Sequence, residues 1–286
     1  MSDPVLLLVL LAALMHAVWN YLAKTIPSGV LFVWLLAAVV SVLLLPFAAG
    51  YVLLYGFEWS AVNVMVLLAS GVLHLIYFAV LQQGYRVSDL SVVYPLARGS
   101  GPLFSTVGAV WFLHETVSGY SMAGLAAVVA GVLLIAGILH ASADAHRRRL
   151  GVYYGVATGV LIASYTVLDG YAVKNLALAP LLIDYTSHPL RVLALAPVAR
   201  RRWPEVRALW QGYRTRIVII AIMSPLAFIF VLYAMKTAPV HFVAPLRETS
   251  IVFGVIFGAK LLTEENFKPR LAGSLLILTG IVLLSV

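Results

Sequence analysis

The chain has 286 residues, of which 63% are hydrophobic and 10% charged, with a formal net charge of +8 and no cysteine. Its mean hydropathy of +1.01 is too high for a water-exposed surface: a chain this size cannot bury so much apolar area in its own core, so lipid must solvate the rest. These values exclude a soluble enzyme, a nucleic-acid-binding protein, a disulfide scaffold and a thiolate metal site, and on so apolar a chain the arginine clusters read as orientation signals.

The opening Met1-Ser2-Asp3-Pro4 has no Lys or Arg ahead of its apolar run, so the first segment is expected to be a retained helix and not a cleaved leader. A helix needs about 20 apolar residues to cross the hydrocarbon. Such stretches fall near 4–23, 29–49, 60–83, 89–113, 118–140, 151–173, 179–199, 216–235, 239–262 and 269–286. Backbone polar groups find no water in lipid, so the expected fold is an all-α membrane protein with about ten transmembrane helices. Two connections are longer: His140 to Gly151, holding Arg147, Arg148 and Arg149, and Arg200 to Arg216, holding six arginines.

The chain also repeats itself. Shifted by 149 residues, Arg98 to Leu134 falls without a gap on Arg247 to Leu283, pairing Arg98 with Arg247, Phe104 with Phe253, Leu113 with Leu262, Glu115 with Glu264, Gly124 with Gly273 and Gly131 with Gly280. Leu and Gly coincide easily in an apolar chain, but Arg and Glu at one common spacing do not, because intramembrane Arg is rare. The reading is two five-helix repeats, 1–145 and 146–286, integrated into one membrane domain. An odd number of crossings per half inverts the second half relative to the first, a design of many secondary transporters. Loops after odd-numbered spans hold thirteen Lys and Arg, while those after even-numbered spans hold Lys174 and Lys236. The positive-inside rule then places both termini on the non-cytoplasmic side of a multi-pass cell (inner) membrane protein.

Glu115 closes the fourth span in Leu113-His114-Glu115, and Glu264 the ninth in Leu262-Thr263-Glu264; nine residues after each, Gly124 and Gly273 open an apolar final helix. With the two-half layout over nearly the whole chain, these marks resemble the EamA-type ten-helix members of the drug/metabolite transporter superfamily. That resemblance implies secondary export or import of small metabolites through a central cavity between the halves. Two features depart from it: many relatives keep both termini cytoplasmic, and intramembrane arginines are not general among them. His16-Ala17-Val18-Trp19-Asn20 resembles, more narrowly, membrane proteins associated with phosphonate utilisation.

By these spans Arg98, Asp169, Asp184, Arg191, Arg247 and Glu248 lie inside helices. Unpaired at the bilayer centre they would cost on the order of 15–20 kcal/mol together, so they must face an interior and find partners. Tyr94, Arg98, Gly101 and Ser105 share a helix face, and Gly99-Ser100-Gly101-Pro102 makes that helix easy to interrupt. Arg98 and Arg247 read as two guanidiniums gripping a carboxylate, phosphate or phosphonate; the alternative is that internal acids neutralise them and tie the halves together. Glu248, one residue from Arg247, diverges from it by about 100° and is expected to serve another partner.

Asp184, His188 and Arg191 occupy one face of the seventh helix, where Asp184 or His188 is a candidate for a coupling proton or the set forms a polar clasp between helices. Asp169, one turn after Tyr165, is a further proton or cation candidate, as is Glu248. His16 and Asn20 with Trp19, and His74 with Tyr77, are candidate solute contacts; Tyr165 and Tyr94 join them. Glu115 and Glu264 read as loop-fixing, Lys260 as snorkelling, the seven-spaced glycines as close helix packing, and Trp59, Trp203 and Trp210 as interfacial anchors.

The reading is therefore a secondary transporter of a small polar organic anion or zwitterion, whose partners are that solute and the bilayer, acting as monomer or homodimer without cofactor or metal. No Gly-x-x-x-x-Gly-Lys-Ser/Thr loop supplies ATP drive. Export of organic cations by the intramembrane carboxylates is the alternative. An intramembrane serine enzyme at Gly99-Ser100-Gly101 is disfavoured because Arg98 stands where a longer Gly-x-Ser-Gly form needs glycine.

Overall fold

In the computed structural model the described residues are 3–27, 29–88, 90–135, 145–253 and 267–285. They form helices α1 (Asp3–Lys24), α2 (Val30–Tyr55), α3 (Ala61–Val87), α4 (Leu90–Phe112), α5 (Gly119–Ile135), α6 (Ala145–Asn175), α7 (Pro180–Arg201), α8 (Trp203–Thr237), α9 (Val240–Leu246) and α10 (Phe267–Ser285), with no strand among the described residues. Five of them, α1, α2, α3, α6 and α8, are long and apolar enough to cross a membrane. The helices α4 and α7 have 23 and 22 residues, but Arg98 in one and Asp184, His188 and Arg191 in the other lower their hydropathy. Large apolar side chains face outward on these helices: Leu53 is 85% and Leu193 72% exposed, which water would not tolerate as a continuous girdle and lipid does.

Local chemistry sets the ends. Ser60 accepts a hydrogen bond from the Asn63 amide at the start of α3, satisfying one of its first-turn donors. Gly56 ends α2 at φ 77°, a left-handed turn that glycine adopts freely, with its N–H returned to Val52 O. Pro180 opens α7, where a missing N–H costs nothing.

The Arg200–Arg216 connection differs from its expectation as a loop. Residues 203–216 are helical and extend α8 to 35 residues, more than hydrocarbon thickness requires. Pro204 in the first turn and the Arg202–Glu205 pair start this exposed, arginine-rich segment, which carries α8 out of the apolar layer. The expected ninth span is likewise divided: α9 stops at Leu246, Arg247 and Glu248 form a turn, and helical backbone resumes at 249–253. Lys260 and Glu264 lie outside the described residues, as do 254–266 generally.

Packing pairs recur between helices five apart in chain order. The helix α3 packs on α6 and α7, while α8, five helices later, packs on α1 and α2; α2 meets α7, α4 meets α9, and α5 meets α10. The α5/α10 crossing explains the seven-spaced glycines. A methyl at Gly131 would meet Gly273 O at 2.5 Å, and one at Gly280 would meet Gly124 O at the same distance. Each glycine thus touches the repeat partner of the one that touches its own partner, the signature of a local two-fold contact. Alanine at Gly131 or Gly280 must push the two backbones apart and is expected to cost about 1–3 kcal/mol. Thermal unfolding in detergent checks this, with Gly50→Ala as a control, since a methyl there meets nothing within 4 Å.

Candidate functional site

The interrupted ninth helix creates the first cluster. Pro245 removes an amide from the ladder, and the chain then tightens through three-residue hydrogen bonds, Glu248 N to Pro245 O, Ser250 N to Arg247 O and Ile251 N to Glu248 O. The turn brings the Glu248 carboxylate against α4 and keeps it beside Arg247. The Glu248 carboxylate, 1% exposed, lies 3.4 Å from Arg98 Nη1 in α4 and 3.9 Å from Arg247 Nε. Arg98 Nη2 donates to His16 Nε2 in α1 at 2.8 Å. A guanidinium only donates, so His16 must accept there as a neutral ring and adds no positive charge. Arg98, Arg247 and Glu248 therefore sum to a formal +1. Arg247 Nε and Glu248 Oε2 are buried and make no hydrogen bond.

The expected interruption of the Gly99–Pro102 helix does not occur; α4 runs unbroken to Phe112. Ser100 instead donates to Leu96 O, and Ser105 and Thr106 both donate to Pro102 O, tying polar side chains back into the helix. Gly101 and Ser105 share the Arg98 face as expected, but Gly101 abuts Ile162 of α6 and Ser105 is buried, so both serve packing. The Tyr94 side chain lies outside the described ones.

A second cluster spans α3, α6, α7 and α8. The His74 ring stacks on Tyr165 with centroids 4.0 Å apart, and Tyr77 and Phe228 meet Tyr165 edge-on at 5.6 and 6.4 Å. His74 Nδ1 donates to Ser70 O at 2.9 Å, which fixes the ring. One turn beyond Tyr165, Asp169 is fully buried, with the Ser70 hydroxyl as a nearby donor and Asp184 beside it, and neither oxygen makes a hydrogen bond of good length and angle. In α7, His188 Nε2 donates to Asp184 Oδ2 at 3.2 Å, leaving His188 Nδ1 buried and unpartnered. Arg191 counts Asp184 and Tyr77 as electrostatic neighbours, with its Nε unpaired. His188 thus engages Asp184 without completing a bridge to Arg191. Asp169, Asp184 and Arg191 sum to a formal −1.

Tyr165 joins the clusters. Its charged neighbours include Arg247, Arg98 and Asp169. Tyr165 and Asp169 lie 149 residues after His16 and Asn20, and Tyr165 is an electrostatic neighbour of Arg247 where His16 bonds Arg98. The sequence carried this spacing but not the residue identity, which hid it. Asn20 itself does not reach another helix; it donates to His16 O and holds its own turn. Trp19 meets the His16 ring edge-on at 4.9 Å, its indole N–H buried without a partner. Ser70 and Phe228 are additions: Ser70 precedes His74 by one turn, whereas Phe228 gave no polar signal.

Glu115 does more than fix a loop. In the turn between α4 and α5 its carboxylate accepts Lys174 Nζ at 2.6 Å, the Val240 and His241 amides at 2.8 and 3.0 Å, and His241 Nδ1 at 2.7 Å. It joins the ends of α4 and α6 to the start of α9. Burial opposes its ionisation, but the His241 ring, Lys174 and the two amides outweigh burial and bring its pKa down from 4.5 to about 2.

Residues 149–286 match the model of the EamA-like transporter family. The whole chain superposes on a protein of known crystal structure with TM-score 0.78, covering 100% of this chain and 99% of that one at 14% identity, a likeness of fold alone. A search of curated proteins gave no match. The described residues form an all-α, multi-pass membrane protein, and residues 149–286 are similar to the EamA-like transporter family.

Proposed function

We propose that the protein moves a small polar organic anion or zwitterion across the cell membrane by alternating access, coupled to protons. The observation that supports this is the Arg98–Arg247–Glu248 cluster, where two interior guanidiniums face one carboxylate and Arg247 keeps an unpaired donor. Burying net positive charge is costly unless a ligand compensates it, and paired guanidiniums suit carboxylate, phosphate or phosphonate oxygens. His16, Trp19 and Tyr165 flank this position; His74 and Tyr77 continue the wall.

Alternating access needs two halves that rock about the site. The 149-residue repeat and the recurring packing pairs support two inverted units, 1–145 and 146–286, with both termini outside by the positive-inside count. For coupling, His188 Nδ1 can take a proton while Nε2 stays on Asp184, and Asp169 and Glu248 offer further carboxylates. Proteoliposomes test the reading. An imposed pH gradient should drive uphill accumulation of labelled β-alanine or ethylphosphonate, and His188→Ala should reduce this while leaving exchange at equal pH. Downhill equilibration alone, whatever the gradient, would mark a channel.

A further inference from the structure

The second cluster contains more than proton coupling requires. Asp169 is 0% exposed and neither oxygen makes a hydrogen bond of good geometry, the Ser70 hydroxyl being a neutral donor beside it, which inside a membrane protein is costly unless something cationic or a proton occupies the place. Asp184 stands near it, and Arg191 offsets one of these two acids. The rings of His74, Tyr77, Tyr165 and Phe228 pack on one another, Tyr165 one helical turn from Asp169, and aromatic rings attract an ammonium group, most strongly when it is desolvated. Neither a lone acidic pair nor a lone aromatic group would suffice, but the two carboxylates and the rings come from four helices that pack together.

The two surpluses are opposite: +1 at Arg98, Arg247 and Glu248, and −1 at Asp169, Asp184 and Arg191. Tyr165 touches the fields of both, and Asp169 follows it by one helical turn, about 6 Å along α6. We infer that the transported solute is a zwitterion, its anionic end on Arg98 and Arg247 and its ammonium end on Asp169 and Asp184 against the aromatic wall. This rests on the anion reading above and narrows it to molecules bearing both charges.

The test uses detergent-purified full-length protein and three matched probe sets: β-alanine against propionate, 2-aminoethylphosphonate against ethylphosphonate, and ethylamine as the lone cation. Affinities are read from ligand-induced thermal stabilisation, which follows binding by mass action. In the wild type the amino-bearing member of each pair should bind at least tenfold tighter than its partner, with ethylamine weakest. Asp169→Asn should bring each pair within about twofold while leaving propionate and ethylphosphonate unchanged, and Phe228→Leu should lower the ratio severalfold by removing one ring face. A wild-type ratio near one, or a ratio unchanged in Asp169→Asn, overturns the ammonium site while anion binding stands. Ethylamine binding as tightly as the zwitterions and surviving Arg247→Ala overturns the anion reading as well. The wild-type ratio decides the matter even if a variant does not fold.

Discussion

Arg98→Ala and Arg247→Ala should each abolish measurable anion binding. Removing one partner of a desolvated charge contact costs about 2–5 kcal/mol, a loss of roughly 30-fold to several thousandfold in affinity. Arg247→Ala should leave the Arg98–Glu248 contact in place, so the protein keeps its fold and loses ligand. Arg98→Ala removes the partner of both Glu248 and His16, and should also lower thermal stability. Lysine at position 247 keeps the charge but loses the planar fork, and should restore binding only partly. Isothermal titration of propionate and ethylphosphonate against the purified variants measures all three. Wild-type affinity in Arg247→Ala would mean that the arginine is only a tie between helices.

The second large effect is on stability and its pH dependence, and it belongs to Glu115. Its pKa in the folded protein is depressed, so its stabilisation is present above the unfolded value of 4.5 and is lost as pH falls through about 2. That shift corresponds to about 3 kcal/mol at full burial and, discounted for its half-buried setting, to about 2 kcal/mol. Glu115→Gln turns an amide N–H₂ toward donors from Val240 and His241 and removes the charge facing Lys174. Thermal melts of the wild type should fall steeply between pH 4.5 and 2. The variant should melt lower at pH 7 and show a flatter profile over that range.

Most helix positions were legible because a residue facing lipid must be apolar, and apolar runs of spanning length admit few other structures. Legibility failed where charge and helicity coexist. The arginines of 203–216 resemble a loop by hydropathy, yet nothing in them opposes a helix outside the apolar layer, and Pro204 starts one. The interruption was expected at Gly99–Pro102 and lies at Arg247–Glu248. Pro102 is absorbed in α4, whose Ser105 and Thr106 bond its carbonyl, whereas Pro245 is followed by a turn and three-residue bonds.

The candidate site was legible as residues and not as groupings. Arg98, Arg247, His16 and Glu248 converge because one repeat partner lies on an unbroken helix and the other on a broken one, a difference of backbone that spacing does not reveal. Glu115 was expected to fix a loop; its partners are 59, 125 and 126 residues away, and no local pattern points to them. Charge alternatives left open by sequence alone, an internal tie or a ligand grip, are sharpened by counting. Among the described residues, one carboxylate, Glu248, stands against the two guanidiniums of Arg98 and Arg247.

A ligand-bound density map tests the central claim most directly. With β-alanine or 2-aminoethylphosphonate present, whichever stabilises the protein more, the anionic end should lie within hydrogen-bond distance of both Arg98 and Arg247. Density elsewhere in the bundle, with both guanidiniums still turned onto Glu248, would contradict it.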